Sequence, residues 1–306
     1  MKDDKLNKIN ANNNMMVNSM NNTDNSIKVN SKNDSNDFTN SLYYDICKDL
    51  KKNMFDYQSI INYDNGLKLL YSGLDELGIT INEKQQKQLL SYYVMLVEKN
   101  KVMNLTGITE FEEVVVKHFI DSLALIKVVD GNKLMQSIKV IDIGTGAGFP
   151  GIPLKIVYPN MEITLLDSLA KRLKFLEEVI DVLGLENIST LHGRCEDLGK
   201  NKQYREVYDM CVSRAVANLS TLSEFCIPFI KVGGEFIAYK AGNSNEEIES
   251  AKYAIDKLGG NIEQIEEMNL PDSDLCRVFV RINKANNTPK QYPRKAGTPL
   301  KEPLKK

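Results

Sequence analysis

The chain has 306 residues, 42% of them hydrophobic, and a formal net charge of −2, enough for one large domain or two modest ones with a real core. No apolar run approaches the ~20 residues of a membrane helix, and the N-terminus lacks the charged-then-apolar order of a signal peptide, so a cytoplasmic protein with no membrane partner is expected. Five scattered cysteines (Cys47, Cys195, Cys211, Cys226, Cys276), with no C-x-x-C pair and two histidines in the whole chain, argue against a disulfide framework or a zinc site.

Residues 1–60 open with an asparagine-rich leader, 13 Asn in the first 40 positions, that holds too little apolar surface to offset the entropy of ordering. They are expected to be disordered, with a weak helix from Leu42 to Ile61. Residues 61–135 read as a helical region. Leu69, Leu70, Leu74 and Leu77 recur at helical spacing before Gly78; Asn82 with Gln85 forms a capping signal ahead of an apolar stripe from Leu89 to Val97. A third amphipathic stretch, Glu112 to Val128, carries His118, Asp121 and Ser122, and Gly131 breaks it. The stripe reads as core.

From 136 to 284 strands and helices alternate. Strands are expected at Lys139 to Ile143, Glu162 to Asp167, Ile188 to His192, Tyr208 to Ser213, Glu235 to Tyr239, Asn261 to Glu267 and Cys276 to Ile282. Helices begin at Ile152 and Lys171, and others run from Leu219 to Ile230 and from Asn245 to Leu258. This is an α/β pattern: a Rossmann-like, seven-stranded, mostly parallel sheet with a small N-terminal helical region.

The first strand ends in Asp142-Ile143-Gly144-Thr145-Gly146-Ala147-Gly148-Phe149, a D-x-G-x-G-x-G run that opens a helix. A dinucleotide fingerprint, G-x-G-x-x-G, would need its third glycine at Phe149. The observed spacing favours S-adenosylmethionine, with Gly144, Gly146 and Gly148 beside its amino-acid end and Asp142 organising the loop or meeting the ammonium. Asp167, 23 residues beyond Gly144, puts a carboxylate at the tip of the second strand, where it can accept ribose hydroxyls. The third strand ends near Arg194, Cys195, Glu196 and Asp197, where an acid can meet the adenine amino group. The fold class is thus that of a class I S-adenosylmethionine-dependent methyltransferase.

After the fourth strand stands Val212-Ser213-Arg214-Ala215-Val216-Ala217, not the Asn/Asp-Pro-Pro-aromatic motif of exocyclic-amine methylation. Cys211 and Cys226 lack the basic setting of a thiolate nucleophile and read as small buried hydrophobes. What remains is an acceptor that already bears a lone pair, such as guanine N7, which needs in-line placement and no general base. No catalytic residue is therefore expected.

IDIGTGAGFPGIPL, LLDSLAKRLKFL, SRAVANL and the tail QYPRKAGTP, with KNKVMNLTGIT and KHFIDSL upstream, together resemble the bacterial 16S rRNA methyltransferase G family, also called glucose-inhibited division protein B. The resemblance spans roughly Gly66 to Leu304. It implies methyl transfer to N7 of one guanine in the decoding-region loop of 16S rRNA, on the small ribosomal subunit or its precursor, by a monomer. By matching motif, Gly144 and Phe149 line the cofactor, Asp167, Ser168 and Leu169 hold its ribose side, Cys195 and Glu196 flank adenine, and Arg214 completes the set. Cys195 stands where the family usually has alanine, and Lys99 where it often has tryptophan.

Residues 285–306 form a basic tail. From Arg281 to Lys306 eight Lys/Arg face the single acid Glu302, +7, which leaves −9 for residues 1–280. Tyr292, Arg294 and Lys295 can stack a base and grip phosphate; the competing reading is a docked tail that covers a sheet edge. Arg194 and Lys240 are further RNA-contact candidates, ahead of Lys171 and Arg172. His118 reads as a packing residue that could also touch RNA, and Asn104, Leu105 and Thr106 either cap backbone groups or meet RNA. A small-molecule methyltransferase would share the cofactor half and differ in leaving the basic tail without a role.

Overall fold

The computed structural model describes residues 63–214 and 216–306. The asparagine-rich leader and the segment from Leu42 to Ile61 lie outside the described residues.

Helix α1 (Tyr63–Glu76) ends at Gly78, whose φ of +69° lets the Ile79 amide fold back and donate to the Leu74 carbonyl at 2.8 Å. Helix α2 (Glu83–Met103) starts with a reciprocal cap: the Gln85 amide donates to Asn82 Oδ1, and the Asn82 amide donates to Gln85 Oε1, both at 2.9 Å. It stops at Asn104, in the left-handed region at φ 48°. There Asn100 Oδ1 accepts from the Leu105 and Thr106 amides, and Thr106 Oγ1 accepts from the Ile108 amide at 3.1 Å, so Thr106 caps a backbone group, one of the two sequence readings. The third amphipathic stretch is less regular than its pattern. It is α-helical at Phe111–Val114, widens to a π-helix at Val115–Ile120, returns to α at Asp121–Leu123 and tightens to 3₁₀ at Ala124–Lys127. Gly131 does not only break this run; with Asp130 as cap it opens a further short helix, Gly131–Leu134.

The sheet has seven strands: β1 (Lys139–Ile143), β2 (Glu162–Asp167), β3 (Ile188–His192), β4 (Tyr208–Arg214), β5 (Ile230–Ala241), β6 (Gly260–Asn269) and β7 (Cys276–Lys284). Their spatial order is β3-β2-β1-β4-β5-β7-β6. All neighbours are parallel except β7, which runs antiparallel to β5 and β6. The order reverses between β1 and β4, so the cleft for a ligand opens at the carboxyl ends of those strands.

Alternation along the strands feeds two apolar clusters, one on each face. Val140, Ile163 and Met210 join Tyr92, Phe119 and Leu173, whereas Ile141, Cys211 and Phe236 join Leu222, Phe225 and Ile255. The N-terminal helices thereby cover one face of the sheet beside the cofactor loop. Two boundaries differ from the sequence pattern by more than two residues. The helix from Leu219 ends at Cys226, because Pro228 admits only a 3₁₀ turn at Ile227–Phe229. Strand β5 begins at Ile230 rather than Glu235, because β4 pairs with it across a bulge between Tyr208 and Met210.

Candidate functional site

The glycine loop between β1 and the next helix, α3 (Gly151–Val157), is fixed by its own backbone. The Gly144 and Thr145 amides donate to the Leu166 carbonyl of β2, and the Gly148 and Phe149 amides donate to the Thr145 carbonyl. Gly144, Gly146 and Gly148 all have positive φ, at +71°, +59° and +106°, but they serve different neighbours. A Cβ on Gly148 would lie 2.7 Å from both Ile152 and the Tyr92 hydroxyl, so that glycine is demanded by packing. A Cβ on Gly144 would meet Val216 at 2.5 Å. On Gly146 it would meet nothing nearer than the Gly144 carbonyl at 3.9 Å, so the loop is open there.

Below the loop lies Asp142, fully buried. Its Oδ2 accepts from the Thr145 hydroxyl at 2.7 Å and the Gly151 amide at 3.0 Å, while Oδ1 has no hydrogen-bond partner. Burial outweighs these two bonds and pushes its carboxyl up to about 6. A buried, unpartnered carboxylate oxygen next to a backbone cradle calls for a cationic group or a donor. An amino-acid ammonium or sulfonium supplies that charge.

Asp167 closes the second corner. Oδ2 accepts from the Gly146 amide at 3.0 Å and faces Arg172 at 3.4 Å, and Oδ1 accepts from the Leu169 amide at 2.8 Å. Oδ1, with one donor, keeps a second lone pair for a hydroxyl. Ser168 and Leu169 are exposed beyond it, Leu169 at 43%. At the end of β3, helix α5 (Cys195–Leu198) follows α4 (Ala170–Leu183) in chain order. Here Glu196 is buried, with Oε1 accepting from the Gly297 amide of the tail at 2.8 Å and Oε2 facing Cys195 Sγ at 3.4 Å. Burial and Glu196 push the Cys195 thiol up, and burial pushes Cys226 up, which disfavours a thiolate at either. The three acids stand at successive strand ends, β1, β2 and β3, as their spacing implies.

Arg214 is placed differently from a side chain that reaches a ligand. Its Nη1 donates to Asp121 Oδ2 at 2.7 Å and to the Lys117 carbonyl at 3.0 Å, and Nη2 lies 3.2 Å from His118 Nδ1. Arg277 Nε donates to the other Asp121 oxygen at 2.9 Å. The guanidinium also sits 5.2 Å from the Phe149 ring centroid, and His118 stacks on that ring at 4.3 Å. Arg214 thus ties the π-helical turn to the cofactor loop. Thr106 Oγ1 lies 3.0 Å from His118 Nε2, and burial together with Arg214 holds the imidazole down at about 3, so it is neutral.

Tyr92 is a participant that the apolar stripe concealed. Its hydroxyl donates to the Ala147 carbonyl at 2.5 Å, and its ring packs at 5.2 Å from Phe149. The only hint in the sequence is a polar-tipped aromatic within a run of aliphatics.

The RNA-contact candidates separate. Arg294 donates from its amide, Nε and Nη2 to Glu224, which is fully buried, and Tyr292 is 9% exposed. Lys240 donates to Glu247 at 2.6 Å and to the Ala217 carbonyl at 3.1 Å. These three are spent on the protein, so the docked-tail reading fits Tyr292 and Arg294 better than the RNA-gripping one. Arg194 and Lys295 are exposed, and their side chains have no partner among the described residues. No helix among those residues is long and apolar enough to cross a membrane.

A doubly wound sheet with this strand order and an acid-glycine loop at its switch point defines a class I S-adenosylmethionine-dependent methyltransferase. The family model described as rRNA small subunit methyltransferase G matches residues 85–276, and the chain belongs to that family. It is 50% identical over 232 residues to the "Ribosomal RNA small subunit methyltransferase G" of Lachnoclostridium phytofermentans, covering 76% of this chain and 95% of that one. To the protein of the same name from Acetivibrio thermocellus it is 51% identical over 237 residues, 78% of this chain and 96% of that one. Among solved structures, it is similar to the precorrin-6y C5,15-methyltransferase of Geobacter metallireducens, with a TM-score of 0.39 and 14% identity over 54% of this chain and 87% of that one.

Proposed function

We propose that the chain transfers a methyl group from S-adenosylmethionine to N7 of one guanine in the decoding-region loop of 16S rRNA, on the small ribosomal subunit or its precursor, as a cytoplasmic monomer. The observation that carries this reading is half identity, over nearly the full length, to relatives named for small-subunit rRNA methylation. The cofactor cradle formed by Asp142, the glycine loop and Asp167 supports it. Guanine N7 brings its own electron pair to the new N–C bond, so the protein has only to hold the base in line.

When bound, the cofactor supplies an electrophilic methyl on a sulfonium. Asp142 meets its cationic end with the unpartnered Oδ1, Gly144 and Gly146 give it backbone room, and Gly148 and Phe149 hold the loop in shape. Asp167, Ser168 and Leu169 border the ribose, and Cys195 and Glu196 the adenine. Arg214 and His118 act through Phe149 as positioning residues. Arg194 and Lys295, with the lower-ranked Lys171, are exposed predicted cations without a partner among the described residues and open to phosphate contact.

Incubation with methyl-labelled cofactor tests the reading, using small subunits, large subunits and free 16S rRNA from cells that lack this gene. Label in small-subunit RNA alone supports it. Label in neither RNA, despite tight cofactor binding, moves the assignment to a small-molecule acceptor.

A further inference from the structure

The tail from Lys284 onward is stitched to the body along its whole length. Lys284, fully buried, donates to the Ile227 carbonyl at 2.8 Å and to Thr288 Oγ1 at 2.5 Å. Arg205 then clamps four carbonyls at once, donating to Gly199, Tyr292, Thr288 and Pro289. Arg294 forks onto Glu224, and the Thr221 hydroxyl donates to the Pro299 carbonyl at 2.9 Å. The body side of these contacts lies on α6 (Leu219–Cys226), the helix that follows β4, on Ile227 just after it, and on Gly199 and Arg205 in the segment that follows α5. Between Arg294 and Pro299 the tail hydrogen-bonds a candidate cofactor residue, through the Gly297 amide to Glu196. That amide is aimed by a turn in which Gly297 takes φ +86°, a conformation that L residues rarely adopt, closed by the Thr298 amide donating to the Lys295 carbonyl. A buried carboxylate thus takes its orientation from a residue 101 positions away.

We infer that the basic tail is a strap which completes the adenine side of the cofactor pocket by holding Glu196, so that strap docking and cofactor binding strengthen each other. The inference rests on the reading that Glu196 borders the cofactor. Of its cations Lys284 and Arg294 are turned inward, while Lys290, Lys295, Lys301, Lys305 and Lys306 are exposed, and its bond to Glu196 comes from a single backbone donor. Coupling between two such events is reciprocal: whatever factor the docked strap adds to cofactor affinity, bound cofactor adds to strap docking.

The wild-type chain tests this directly, by hydrogen exchange of residues 292–304 with and without S-adenosylhomocysteine. Exchange slowed at least about fivefold, the lower end of ordinary allosteric coupling, is expected at the Gly297 amide. In kinetics, Arg294→Lys keeps the charge but loses the fork onto Glu224. It should raise KM for the cofactor about fivefold or more while kcat at saturating cofactor and KM for small subunits stay at wild-type values. Glu196→Ala separates the two layers of the argument. If it leaves cofactor affinity unchanged, Glu196 does not border the cofactor and the site reading fails together with the inference. If it weakens the cofactor, but the ligand does not slow strap exchange and Arg294→Lys binds cofactor as wild type does, the strap is uncoupled and the inference alone is overturned. A rise in KM for subunits with unchanged cofactor KM also overturns it, and makes the tail an RNA arm.

Discussion

Asp142 carries one hydrogen-bonded and one orphaned carboxylate oxygen in a fully buried position, and this asymmetry has a pH signature. Its folded pKa, about 6, lies above the ordinary aspartate value of 3.8, so the folded chain binds more protons than the unfolded one between those values. Its contribution to stability is therefore fully present below about pH 4 and is lost as pH rises to about 6. A cationic ligand reverses the preference, since it needs the carboxylate. Calorimetric cofactor affinity should hold steady above about pH 6 and fall by up to about tenfold per unit below it. Asp142→Asn should abolish that dependence, weaken the cofactor, and stabilise the free protein at neutral pH by about 1 kcal/mol. A flat affinity profile in the unaltered protein would place the charge of Asp142 away from the ligand. The carboxylates at 142, 167 and 196 were legible because acids at strand ends form a spacing pattern. The fate of Arg214 was not, because its partners Asp121 and His118 lie more than ninety positions away and nothing local marks the pairing.

At the scale of elements, the glycine loop divides its labour between packing and access. Gly148→Ala would force a Cβ against Ile152, Leu176 and Tyr92 at positive φ, and should cost about 2 to 4 kcal/mol in urea unfolding. Gly146→Ala faces open space and should cost only the left-handed backbone penalty of about 1 to 2 kcal/mol, while it weakens cofactor binding the more of the two relative to its stability cost. Equal ratios of binding loss to stability loss would contradict the division. Tyr92→Phe removes the bond to the Ala147 carbonyl and should destabilise by about 1 kcal/mol. Most elements could be placed from periodicity, since α1, α2 and the strands alternate or repeat cleanly. The π-helical turn at Val115–Ile120 could not, because its apolar spacing is that of an ordinary helix, and the partners of its His118, Phe149 and Arg214, lie far along the chain.

For the whole molecule, charge distribution separates the free cations from the spent ones. The tail concentrates +7, yet Arg281, Lys284 and Arg294 are paired inward with Glu235, Glu206 and Glu224. Composition alone cannot reveal this, because the partner acids sit in other elements. Arg194→Ala and Lys295→Ala should each weaken binding to small subunits and lower the salt slope by about 1, with cofactor affinity unchanged. An unaltered slope would remove that residue from the RNA contact. The most direct test of the central claim is where the methyl lands: small subunits from cells lacking this gene, methylated by the purified chain, then cut by N7-specific cleavage. One cut at a single guanine in the decoding-region loop of 16S rRNA is the expected result; a methyl on an exocyclic amine, on several guanines or elsewhere in the subunit would contradict it.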